Sequence, residues 1–250
     1  MTNSKIIQPF KPHTVLQTIL LHLIPGVLLT AFYYLLAPIV SNIGFPVENA
    51  LFLAVLFILV PTELGYLFYQ GYKKSGKPTL KDIVLYREHI PLWQYFVIIP
   101  LILIWLIAAF VLMTPVDDFI IQNYFRWLPS FFIPSQSLNL ISQYSRPVLL
   151  ITIGLQVVIN GIVGPIVEEL YFRGYLLPRI PASRILSPLI SVVLFSLYHF
   201  FSPWQNITRI IATIPMIYAV SWKRNIYLSI FTHCLLNILG AVAFLLEILK

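Results

Sequence analysis

Charge is scarce in this sequence. Of 250 residues, 16 are basic and 9 acidic, 10 % in all, where a soluble globular domain carries about 25 %. So few charges cannot cover a surface in water. With 59 % apolar residues and a mean hydropathy of +0.87, most of the outer face has to lie in lipid. That excludes a soluble enzyme and a disordered tail. It also removes nucleic acid as a partner, because the net charge of +7 is read loop by loop as membrane topology. Cysteine is missing but for Cys234, so no intrachain disulfide can form. Period-two alternation is absent too, which excludes a membrane barrel. There is no internal repeat and no low-complexity segment.

What remains is a series of long, continuous apolar runs, and in lipid such runs are helices. The expectation is an all-α polytopic transmembrane bundle of about seven spans. They fall at 14–41, 50–72, 93–113, 147–178, 185–201, 206–221 and 226–249. The fifth and sixth are short, and an eighth span or a re-entrant segment is the alternative. Pro25, Pro38, Pro61, Pro165 and Pro215 lie inside spans, where each frees a backbone carbonyl and favours a kink. Twelve of the sixteen Lys and Arg residues gather on one side, among them Lys73, Lys74, Lys77, Lys81, Arg173, Arg179, Lys223 and Arg224. That side is the cytoplasmic one, so the amino terminus is expected in the cytoplasm and the protein in the plasma (inner) membrane. The first run follows Lys5 and Lys11 but lacks a small-x-small cleavage site, and is read as an uncleaved anchor.

An ionisable residue inside an apolar run marks a candidate site, because burying it in the bilayer is costly. The candidates are His22, Glu63, Glu168, Glu169, Arg173, His199 and His233, with the polar Asn237. Most fall in three i,i+4 patterns: Glu169 with Arg173, Phe195 with His199, and His233 with Asn237. Glu169 precedes Arg173 by four residues, the favourable order for an ion pair. Glu168 points about 100° away around the same helix and is left to face a cavity. Bland readings compete at each position: compensation of Arg173 near the headgroups, a histidine bonded to a backbone carbonyl, or helix–helix hydrogen bonds at His233 and Asn237. Depth favours convergence. At 1.5 Å per residue, Glu168 lies about 15 Å from the end of its span, and the other groups reach comparable depths.

A carboxylate beside an imidazole activates water, and a second imidazole with a carboxamide donates hydrogen bonds to an oxyanion. Such a set attacks a peptide carbonyl without a nucleophilic serine or cysteine. Cys234 adjoins His233 but points to another face, so a Cys/His protease is a weak reading.

The motifs Glu168-Glu169-x-x-x-Arg173, Phe195-x-x-x-His199 and His233-x-x-x-Asn237, in this order on successive membrane helices, resemble the CPBP (Abi) family of CAAX prenyl endopeptidases and bacteriocin-processing proteins. The resemblance runs from about Gly161 to Gly240, and residues 1–145 add only membrane spans. It implies a single integral membrane domain over 1–250, with 146–250 as the catalytic core. It implies Glu168 as the catalytic glutamate, His199 as its partner on water, and His233 with Asn237 as the oxyanion site. Glu169, Arg173 and Phe195 would be motif residues with a mainly structural role. The implied activity is an intramembrane endopeptidase acting on a membrane-tethered or lipidated peptide, in a cavity opening toward the cytoplasm or laterally.

No cofactor is expected. The alternative is Zn²⁺ held by Glu168, His199 and His233, a His₂Glu set, although His-Glu-x-x-His is absent. Asn237 favours the metal-independent reading, being a poor zinc ligand and a good oxyanion donor. Two rivals remain: a non-catalytic binding protein of the same superfamily, for bacteriocin immunity or scaffolding, and a proton-coupled transporter. His22 and Glu63 are expected to be structural, with Glu63 bonding a freed backbone group or pairing with His22.

Overall fold

The computed structural model describes residues 11–129, 132 and 143–248. Within them the chain forms seven successive helical rods, and their bounds follow from caps, prolines and buried polar contacts.

Thr14 starts α1 (Val15–Asn42) with a reciprocal capping box, its hydroxyl accepting from Gln17 N and Gln17 Oε1 accepting from Thr14 N. The second rod, α2 (Glu48–Ser75), passes from α-helix at Glu48–Ala54 through a π-helical stretch at Val55–Leu64 to α-helix again at Gly65–Ser75. Pro61 lies in the π stretch and has no N–H to donate. The Thr62 hydroxyl bonds backward to Ile58 O at 2.6 Å and Leu59 O at 3.2 Å, taking up carbonyls there. Gly76, at φ 72°, turns the chain out of the helix.

The third rod, α3 (Leu92–Tyr124), runs eleven residues beyond the expected end at 113. An end at 113 would leave Asp117 outside the helix. Instead its carboxylate accepts from Thr208 Oγ1 of a neighbouring helix at 2.5 Å, and the helix continues through it. The face carrying Phe96, Leu101, Ile104, Val111 and Leu112 is exposed, as a lipid-covered face must be.

Next comes α4 (Arg146–Arg179), with π-helical stretches at Gln156–Val163 and Glu169–Leu176 around the α-helical Gly164–Glu168. Then α5 (Leu186–Tyr198), α6 (Asn206–Lys223) and α7 (Tyr227–Ile248) complete the bundle. The fifth rod is shorter than expected, stopping at Tyr198, and the chain turns at His199 with φ −81° and ψ 57°. Five rods, α1, α2, α3, α4 and α7, are long and apolar enough to cross a membrane. The hairpin of α5 and α6 packs among them, α5 against α1 and α6 against α3 and α7.

Two packing details set the site. Gly26 of α1 meets Tyr198 at the end of α5 so closely that a Cβ there would fall 2.1 Å from the Tyr198 carbonyl oxygen, and only glycine permits the approach. At the basic end, the 76–91 loop is tied to the α6–α7 turn. Ile226 N donates to Tyr86 O at 2.8 Å, Arg87 bridges Asn225, and Glu88 pairs with Arg224 at 3.0 Å. These contacts join the loop to the turn at the basic end.

Candidate active site

The EExxxR helix separates its two acids as its geometry requires. Glu169 turns into the packed interior, where it and Arg173 are both fully buried with Nε 3.2 Å from Oε2. The contact is Coulombic rather than an aligned hydrogen bond, since the guanidinium nitrogens find no acceptor of good geometry. The Arg173 guanidinium also lies over the Phe195 ring, 3.8 Å from its centroid. Phe195 thus joins the first motif to the second by covering the buried cation. Glu168, one residue earlier, faces a cavity of about 390 Å³.

His199 and His233 reach that cavity with their rings held alike. His199 Nδ1 lies 2.8 Å from Phe195 O; a carbonyl only accepts, so Nδ1 carries the proton and Nε2 is left for the cavity. His233 Nδ1 donates to Glu169 Oε1 at 3.0 Å, and its Nε2 lies 3.9 Å from Glu168 Oε2. Glu169 therefore does more than fix its own helix, because it also orients a cavity histidine.

Asn237 has a backbone task as well as a place on the cavity wall. In the π register preceding Pro165, Gly164 N bonds Ile159 O. The next donor would be Pro165, which has none, so the Asn160 carbonyl is left open. Asn237 Nδ2 fills it at 2.7 Å. One amide hydrogen is committed there and one remains.

All four expected catalytic residues, Glu168, His199, His233 and Asn237, thus line one cavity from α4, α7 and the turn after α5. His199 sits in that turn, not within the helix where the span estimate put it. The remaining wall is largely apolar, with Leu29, Val55, Leu59, Leu106 and Met216 prominent. The lining runs from mid-bundle toward Glu48 and Trp204, away from the hydrogen-bonded basic end.

Although Glu168, His199 and His233 share the cavity, no three His, Cys, Asp or Glu side chains among the described residues converge to hold a metal ion. Cys234 places Sγ near Ile162 O and does not line the cavity.

Sequence reasoning did not single out Tyr198 or Arg209, and it gave Glu63 other partners than the structure does. Glu63 is fully buried with neither oxygen hydrogen-bonded. It bonds no freed backbone group and forms no ion pair with His22, whose Nδ1 is on Thr18 O at 2.7 Å. Instead Glu63 faces Glu168, and the buried Tyr198 hydroxyl faces both carboxylates without a normal hydrogen bond to either. Arg209, inside the sixth expected span, is buried on the cavity wall. Glu63 was marked as an ionisable residue in an apolar run beside the proline of α2, and Arg209 carried the same mark inside the sixth expected span; Tyr198 carried none.

Residues 150–239 match the family model described as type II CAAX prenyl endopeptidase Rce1-like. The family resemblance read from the motifs is borne out over that stretch, a little over a third of the chain, which contains Glu168, His199, His233 and Asn237. No curated protein and no solved structure matches the chain.

Proposed function

We propose that this integral membrane protein, with its Rce1-like stretch at 150–239, is an intramembrane endopeptidase in which Glu168 and His199 activate water. The observation that carries the reading is the convergence of Glu168, His199, His233 and Asn237 on one cavity, with both histidines bonded through Nδ1.

Glu168 takes a proton from a water aligned by His199 Nε2, and the oxygen adds to the scissile carbonyl carbon. The carbonyl electron pair moves to oxygen, where the free Asn237 amide hydrogen and a protonated His233 Nε2 donate to it. Glu169 at His233 Nδ1 holds that ring in place. Collapse of the intermediate breaks the C–N bond, and the proton held by Glu168 passes to the leaving amine. The apolar wall of Leu29, Val55, Leu59 and Leu106 limits competing water and accommodates an apolar or lipid-bearing segment. The substrate is a membrane-tethered or lipidated peptide, which partitions into the bilayer before it binds. With the amino terminus in the cytoplasm of a plasma-membrane protein, this cavity is entered laterally or from the face opposite the basic loops.

The test is cleavage in liposomes by wild type and His199→Ala, offered a farnesylated CAAX peptide and several membrane-tethered leader peptides. Wild type cleaves at least one, and His199→Ala loses about 10²–10⁴-fold in kcat. Stoichiometric zinc in active protein, with activity lost on chelation, would overturn the water-activating pair as drawn. No cleavage of any substrate, with function in cells surviving loss of Glu168, would point to the binding-protein alternative.

A further inference from the structure

Arg209 stands on the first turn of α6 and lines the cavity with His199. It is 7 % exposed. Its guanidinium donates to Ser202 Oγ at 2.8 Å, to Gln205 Oε1 and Asn206 Oδ1 at 3.3 Å, and to Ser196 O at 3.4 Å. Every one of these acceptors is neutral. No carboxylate among the described residues comes within ion-pair distance of it. The acids it faces are Glu168 and Asp117, and Asp117 already accepts from Thr208.

A desolvated guanidinium without a counter-ion is costly to maintain. The four neutral acceptors fix its direction but leave its charge uncompensated. A clamp for the turn would need only an uncharged donor, whereas a cation held in place on a cavity wall suits an anionic ligand. Among the described residues no other Lys or Arg lines this cavity.

We propose that Arg209 is an anion subsite of the cavity and receives a carboxylate of the peptide substrate. The assignment rests on the protease reading: a peptide whose scissile carbonyl lies at Glu168 places its chain across the same cavity toward Arg209. The carboxylate taken to reach it is the free carboxyl end of the peptide. Loss of the guanidinium weakens substrates that end in a carboxylate more than substrates without that charge, so the preference for the acid disappears.

The experiment uses one farnesylated CAAX peptide made with a free carboxylate or a carboxamide end. Wild type is expected to show a KM about 10–100-fold higher for the amide, the range of a charge-assisted hydrogen bond, with kcat little changed. In Arg209→Gln the acid behaves like the amide, and Arg209→Lys retains part of the preference. Equal KM for both peptides in wild type overturns the proposal. So does an equal loss on both peptides in Arg209→Gln, which is what a turn clamp alone would give. Should wild type cleave neither peptide, the protease reading is what fails. Binding of the same two peptides to detergent-solubilised wild type and Arg209→Gln, read by fluorescence anisotropy, then decides the subsite. An acid preference lost in Arg209→Gln supports it, and equal binding of acid and amide to wild type overturns it.

Discussion

Glu168 and Glu169 are neighbours in sequence but face two different regions of the molecule. Glu169 enters a packed polar core between α4, α5 and α7, where Arg173, His233 and the Phe195 ring surround it. Glu168 enters the cavity, with His233 Nε2 at 3.9 Å and a largely apolar wall opposite. In the first region each charge has a partner and little is free to react. In the second, carboxylate and imidazole atoms are left open. The pairing in the core is what holds the open groups in place, since His233 is bonded on one side of its ring and available on the other. Stability and chemistry are thus divided between adjacent residues of one helix.

That division is open to attack from the core side, where the largest stability effect is expected. Glu169→Gln leaves Arg173 buried without its counter-ion, a loss of about 3–5 kcal/mol, and frees the His233 ring. Thermal unfolding in detergent should drop steeply, with residual activity reduced as well. An unchanged unfolding temperature would break the comparison. Gly26→Ala tests the packing that seats the His199 turn. Its Cβ would collide with the Tyr198 carbonyl, so α1 and α5 must separate at a cost of about 1–3 kcal/mol. Activity should fall more than stability, because His199 follows Tyr198 directly. The smallest effect belongs to Cys234, which points away from the cavity. Cys234→Ala should change stability by about 0.5 kcal/mol at most and leave cleavage intact, and a thiol-blocking reagent should not inhibit.

The apolar runs and the i,i+4 spacings made the helices and the three motif faces legible in sequence. The 168/169 split followed from helix geometry alone and holds despite the π register that begins at Glu169. Other features depend on partners far away in the chain. The extension of α3 past 113 rests on Asp117 meeting Thr208, and the second task of Asn237 rests on a carbonyl opened by Pro165. Arg209 is a charge inside the sixth expected span, and its setting rests on Ser196, Ser202, Gln205 and Asn206 gathering around it. Glu63 has no sequence pattern that links it to Glu168; only the packing of α2 against α4 does so. The amino-terminal rods, silent in motifs, still supply Gly26, Glu63 and much of the cavity wall.

The most direct measurement compares Glu168→Gln with wild type in the same liposomes, recording cleavage rate and unfolding temperature together. Glu168 faces open cavity, with a long contact to His233 and with Glu63 and the Tyr198 hydroxyl beside it but no ion pair to a buried cation, so its neutral isostere should leave the unfolding temperature within a few degrees. Cleavage should fall by about 10²–10⁴-fold, the contribution of a positioned general base. Cleavage that persists in a folded Glu168→Gln protein would contradict the account.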